Sequence, residues 1–325
     1  MKFYLKVFIS SLVVFSLIFS GAFYMITKNA KDTSSSKPPV APIVIADVNG
    51  SEDTVSGDDR TELERLVDAS DRVNVVAFGT DGGRADTIMF LSYSPSDQLL
   101  DVVSIPRDTY HAVAGHDLSG QKKINAVYGF KENGGSLGMK DAVSTVLNVP
   151  VDYYIKLDYR GVENIIDVLG GVQINVFKDL KYDDPWSDPP LHIDIPAGKQ
   201  LLNGEKSVEY LRWRKNNGEA GDGDIGRIQR QQEFVIAAAK RAFSFKLPVV
   251  IKTTFNYLKT DMGLDTMLYY GTTATDFDFA NLKTYRLPGD VTQISHVSYM
   301  LHDPAETEQM MIDIYNRVPG NNEAN

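Results

Sequence analysis

The spacing of apolar and polar positions changes several times along the chain, and each change predicts an element. Val7 to Ile26 carries no charge over about 20 residues, the length of a helix that spans a bilayer core. Lys28 to about Asp59 is rich in Ser, Pro, Asp and Gly and reads as a flexible tether. Thr61 to Asp71 puts Leu63, Leu66 and Val67 on one face of a short helix. Asn74 to Thr80 is a short apolar run ending in Gly and Thr, which predicts a buried strand. Asp86–Ser94 and Leu99–Pro106 predict two more strands, joined as a hairpin by Ser94-Pro95-Ser96-Asp97.

Helical spacing returns at Gly138–Leu147, strand at Tyr153–Asp158, helix at Gly161–Leu169, and strand at Val172–Phe177 after Gly170-Gly171. Asn203 reads as the cap of a helix over Lys206–Trp213, and Asp224 precedes a long helix from about Gly226 to Phe245. Another amphipathic helix follows Pro248, then a strand over Leu282–Leu287 and a last helix near Glu306–Asn316. Strands alternating with helices predict a layered α/β/α domain with a mixed central sheet, preceded by one transmembrane helix. The expected organisation is a cytoplasmic tail at 1–6, the membrane helix at 7–26, a linker at 27–72 and the folded domain at 73–325. Small residues at Ser20-Gly21-Ala22 leave a cleaved signal open beside a retained anchor. A short tail before a large domain places the bulk of the chain outside the membrane.

Composition narrows the chemistry. A net charge of −10 over 325 residues argues against general nucleic-acid binding, which needs a basic face. With no Cys, disulfides, thiolate metal sites and Cys nucleophiles are excluded, and the 5 His lack ligand-like spacing.

Three clusters carry reactive groups. In G-T-D-G-G-R-A-D-T, Asp81 leaves the end of a strand, and Asp81 and Asp86 could together hold one hard cation; a plain polar turn is the alternative. In S-I-P-R-D-T-Y, Arg107 and Asp108 form either site residues or a structural ion pair, and Lys123–Tyr128 starts a helix that could face the same cleft. Arg212 and Arg214 sit two apart at a helix end, so both point one way in extended chain. Arg227 and Gln231 lie four apart on one face of the next helix, with Arg230 beside them and Ile228, Val235, Ala239 and Ala242 left for the core. Convergent Arg suits a phosphate group through its rigid bidentate fork. The alternative is a solvated basic helix paired with Asp222 and Asp224.

These segments, with V-D-Y-Y-I-K-L-D-Y, L-G-G-V-Q-I-N-V and L-N-G-E-K-S-V-E-Y-L-R-W-R in order between them, resemble the LytR-CpsA-Psr family across about residues 73–245. Later elements near Leu287 and Val297 resemble its carboxyl-terminal portion. The resemblance implies a membrane-anchored, extracytoplasmic phosphotransferase that moves a polyprenyl-pyrophosphate-linked glycopolymer (teichoic acid, capsule or similar) onto peptidoglycan. It implies Mg²⁺, or Mn²⁺ in its place, on Asp81 and Asp86. It implies a pyrophosphate grip by Arg84, Arg107, Arg212, Arg214, Arg227 and Gln231, with Arg230 and Asp224 as neighbours. Asp81, Asp86, Arg107, Arg212 and Arg214 are the expected catalytic residues, and Asp81, Asp86 and Asp108 the candidates for the base. The stretch between Asp81 and Asp86 is shorter than in many members. A hydrolase of the same lipid substrate and a non-catalytic lipid-binding regulator are the competing functions.

Overall fold

The computed structural model describes residues 60–187, 190–218, 223–243 and 247–319, less the side chains of 81, 223–229 and 247. The expected tail, membrane helix and most of the linker lie outside these residues. Among the described residues no helix is long and apolar enough to cross a membrane.

The first element is helix α1 (Glu62–Ala69), which the sequence reading assigns to the linker. Thr61 caps it in a capping box with Glu64, and its Leu63 is fully buried against the core. The folded unit therefore starts before residue 73, because that leucine has nowhere else to leave water.

Strands β1 (Val73–Asp81), β2 (Arg84–Ser94) and β3 (Leu99–Ile105) form an antiparallel meander. Helix α2 (Gly135–Leu147) leads to β4 (Tyr153–Leu157), which pairs parallel to β1. Helix α3 (Tyr159–Val168) is capped by Asp158, whose carboxylate accepts from Gly161 N at 2.8 Å. Then come β5 (Val172–Val176), β6 (Leu180–Asp184), β7 (Leu191–Ile195), β8 (Gly198–Leu202) and α4 (Gly204–Arg212), with Asn203 as its cap. The long α5 (Gly223–Phe243) is followed by α6 (Leu247–Thr254), β9 (Lys259–Thr260) and α7 (Leu264–Thr273). Strand β10 (Leu282–Arg286), the hairpin β11 (Gly289–Ile294) and β12 (Val297–His302), and α8 (Pro304–Tyr315) close the unit.

The central sheet has six strands in the order β10-β3-β2-β1-β4-β9, and it is mixed, since β10 joins β3 in parallel. One face buries Val76, Phe78, Ile88, Phe90 and Val103 against Met139, Val143 and Leu147 of α2 and Met311 and Ile314 of α8. A second core gathers α3, the β5–β8 ribbon, Tyr210, Trp213 and Phe234. This is the layered mixed α/β arrangement that the alternation predicts. The segment 123–128 differs: it forms only a short 3₁₀ turn, Ile124–Gly129, in which Asn125 is buried and Gly129 lies against the β1–β2 turn. A Cβ on Gly129 would lie 2.5 Å from the Gly83 carbonyl oxygen, so that close approach requires glycine.

Candidate active site

The first cluster is the tip of the β1–β2 hairpin, a two-residue turn at Gly82-Gly83 in which Gly82 has φ 69°. Below it the pairing slips: Thr80 faces Ala85, and Gly79 faces Thr87. Asp86 is thus the extra residue of a β-bulge, and such bulges redirect side chains beside functional sites. Consecutive strand residues normally face opposite ways, yet Asp86 and Thr87 line the same cavity.

That cavity is about 910 Å³ and lies between the open face of the sheet, α3, the β6–β7 ribbon and α5. Its lining is of two kinds. Charged and polar side chains come from Asp86, Arg107, Asp158, Arg212, Arg214, Lys215 and Gln231. Apolar side chains come from Met89 and Leu91 of β2, Val162 and Ile165 of α3, and Val235 and Ala238 of α5. A second, smaller recess of about 150 Å³ shares Asp86, Thr87, Met89, Arg107 and Gln231 with it.

At the cavity wall, Arg107 Nη1 donates to Asp86 Oδ1 at 2.7 Å, both side chains remaining about a fifth to a quarter exposed (24% and 21%). Lys123 Nζ donates to Asp108 at 2.8 Å, and Arg107 Nε lies 3.8 Å from the same carboxylate. The order Lys123, Asp108, Arg107, Asp86 alternates in sign, so each group holds the next in place.

Helix α4 ends at Arg212, and Trp213 leaves it in extended backbone (φ −58°, ψ 134°). Arg212 and Arg214 therefore both reach the cavity while Trp213 between them is fully buried. Arg212 Cζ sits 5.3 Å over the Tyr159 ring, a cation–π contact that orients it at the cavity wall. Trp213 is pinned from three directions. Its Nε1 donates to Asn216 at 3.0 Å, Phe177 packs edge-on at 5.8 Å, and Arg230 Cζ covers its ring at 4.9 Å.

The predicted residues thus separate. Asp86, Arg107, Arg212, Arg214 and Gln231 converge. Arg230 does not: it is buried and donates to the Trp213 carbonyl at 2.6 Å, so it braces the arginine-bearing segment instead of facing the cavity. Arg84 is exposed at the hairpin tip, where Nη2 donates to the Gly120 carbonyl at 3.3 Å, and it lines neither cavity. Val235 faces the cavity, and its neighbour Phe234 takes the core position that the spacing assigned to it. The Asp81, Asp224 and Arg227 side chains lie outside the described residues. Sequence reasoning missed Tyr159, Lys215 and Arg286; only Lys215, adjacent to Arg214, carried a local signal.

No group of three or more acidic or His side chains suited to a metal occurs among the described residues. A Mg²⁺ ion needs fewer when phosphate oxygens and water complete its shell. Among the described residues Asp86 supplies one carboxylate at the cavity wall, and its Oδ1 accepts from Arg107.

The chain matches the LytR_cpsA_psr family over residues 30–314, most of its length. It belongs to that family. A LytR_cpsA_psr relative from Bacillus subtilis (strain 168), the polyisoprenyl-teichoic acid–peptidoglycan teichoic acid transferase TagU, is 29% identical over 255 residues, 75% of this chain and 77% of the relative. The crystal structure of B. subtilis TagV is similar with a TM-score of 0.61 at 25% identity, covering 75% of this chain and 95% of that one. For the B. subtilis TagU crystal structure the TM-score is 0.54 at 27% identity, with 75% and 96% covered.

Proposed function

We propose that this enzyme transfers a polyprenyl-pyrophosphate-linked glycopolymer, of the teichoic acid class, to a hydroxyl of peptidoglycan and releases polyprenyl phosphate. The observation that carries the reading is the mixed lining of one large cavity: arginines together with many apolar side chains suit a ligand with a charged head on a hydrocarbon chain. The TagU relative's activity, transfer of teichoic acid to peptidoglycan, supports the choice of donor and acceptor.

In this reading the isoprenoid chain lies along Met89, Leu91, Val162, Ile165 and Val235, where burial of apolar surface holds it. The pyrophosphate meets Arg107, Arg212 and Arg214, whose fixed charges offset the negative charge on its oxygens. Tyr159 orients Arg212, while Asp86 and Asp108 hold Arg107 between them. The pyrophosphate link already carries the driving force, so catalysis here is positioning and charge neutralisation. Mg²⁺ or Mn²⁺, held by Asp86 with Asp81, would supply further neutralisation of the phosphoryl oxygens. The chain would sit in the membrane through residues 7–26 with the folded unit outside.

The test is ligation by the full-length protein in detergent, with a prenyl-pyrophosphate-linked sugar and peptidoglycan oligomers, with Mg²⁺ and with chelator. Metal-dependent appearance of a phosphodiester-linked glycan on the wall oligomer is the expected result. Free sugar phosphate with no ligated product would instead make the enzyme a hydrolase, and tight lipid binding without turnover a scaffold.

A further inference from the structure

The recess beside the main cavity has no part in the reading so far. It is built from the start of β2, the end of β3, the segment after it, β10 and the β11–β12 hairpin, with Gln231 of α5. The hairpin is fixed to the segment that carries Arg107 and Asp108. Tyr110 N donates to the Met300 carbonyl at 2.8 Å, and Met300 N to the Asp108 carbonyl at 2.9 Å. One peptide stretch therefore presents Arg107 to both cavities and Asp108 to the recess.

We propose that this recess is the acceptor subsite, taking one sugar ring of a glycan strand that presents a hydroxyl; the proposal rests on the transfer reading above. Size is the first argument. A cavity of about 150 Å³ accepts a single six-membered ring, whereas the neighbouring one, at about 910 Å³, is several times larger. Lining is the second. Asp108, Arg286 and Ser298 provide acceptors and donors for hydroxyl and amide groups, and Val291, 70% exposed at the rim, offers an apolar surface to the C–H face of a sugar.

Placement is the third argument and decides between donor and acceptor. In the strand order the recess belongs to the β10-β3-β2 side of Asp86, and the large cavity to the β2-β1-β4 side. Attacking and leaving oxygens lie roughly in line across a phosphorus in transfer. With the lipid phosphate departing toward the apolar cavity, the recess is on the side of attack. There the sugar hydroxyl oxygen bonds to the phosphorus that bears the donor glycan. The bond from that phosphorus to the bridging oxygen breaks, its electron pair leaves on the lipid phosphate, and the hydroxyl proton ends on that released phosphate.

The test uses full-length Ser298→Trp, which fills the recess, and Arg286→Ala, which removes a polar contact. Both residues are exposed, and neither lines the main cavity. Transfer from a prenyl-pyrophosphate-linked sugar to peptidoglycan oligomers gives KM for each substrate, and donor Kd is measured without acceptor. The expected result is an acceptor KM raised about tenfold or more, with donor KM and Kd within about twofold of wild type. An unchanged acceptor KM in both variants overturns the proposal. A raised donor KM with acceptor KM unchanged also overturns it, because the recess would then hold the donor's own first sugar. Wild-type protein that splits the donor yet ligates nothing overturns the transfer reading itself and the acceptor subsite with it. Unchanged melting of Arg286→Ala keeps the comparison valid if Ser298→Trp folds poorly.

Discussion

Two sets of arginines pair with aspartate in this protein, and they do opposite things. Asp101 is fully buried and takes Arg72 at 2.9 Å on one oxygen and Arg317 at 2.6 Å on the other, with Tyr285 at 3.3 Å. Both guanidinium groups there are almost entirely shielded from water, and the arrangement ties the start of β1 and β3 to Arg317, just beyond α8. Arg107 and Asp86 form an equally short bond, but they remain partly open on a cavity wall. An Arg–Asp pair is therefore no sign of a site in itself. What distinguishes the second pair is access, since a guanidinium at a cavity wall can still meet a ligand while one enclosed by protein cannot.

The largest way to break this comparison is Asp101→Ala. It leaves two buried charges without their carboxylate and should cost about 3–5 kcal/mol or more in denaturant unfolding. A cost below about 1 kcal/mol would show that the triad is not structural. Next comes Arg212→Ala or Arg214→Ala, expected to lower kcat/KM for transfer by about 10²–10³ while leaving melting nearly unchanged. Wild-type transfer by either would remove the arginine grip from the mechanism. Arg230→Gln falls between the two classes. Loss of its hydrogen bond to Trp213 and of its cover over that ring should cost about 1.5–3 kcal/mol of stability, with a smaller loss of activity through the displaced Arg212 and Arg214. Activity that falls as far as in Arg212→Ala, with stability intact, would put Arg230 back in the site.

The smallest expected effect is with pH. Burial lowers His111 below its usual 6.5, with His302 adding to the shift, and burial also lowers His302. The unfolded chain then binds more protons than the fold as pH drops. Stability should be full above about pH 6.5 and decline below it. A melting series across that range, repeated with His111→Gln, would show the decline flattened; an identical decline in the variant would rule His111 out as its source.

Much of this was legible from residue order, and the parts that were not share a cause. Short apolar runs bounded by turn residues place β1 to β3, because most of their residues are buried. Strands such as β6, Lys181 to Asp184 after a single buried Leu180, are too polar and short to declare themselves, and only pairing with β7 makes them strands. In the site, Arg212 and Arg214 follow from spacing two apart at a helix end. Helical spacing puts Arg230 beside Arg227 and Gln231 but cannot say which side meets the core, and the ring of Trp213 settles it. Tyr159 and Arg286 lie far apart in the chain, and no local pattern links either to the arginines.

The pairing of β10 with β3 also governs when the protein can fold. Tyr285 meets Asp101 across 184 residues, and Tyr315 meets Asn74 across 241. Until the last part of the chain has been made, β3 is an open edge carrying Val102 and Val103, a template for any other extended chain it meets. Such long loop closures are slow. Synthesis and folding of this protein are therefore sequential events, separated by an interval in which its edge must be kept from its neighbours.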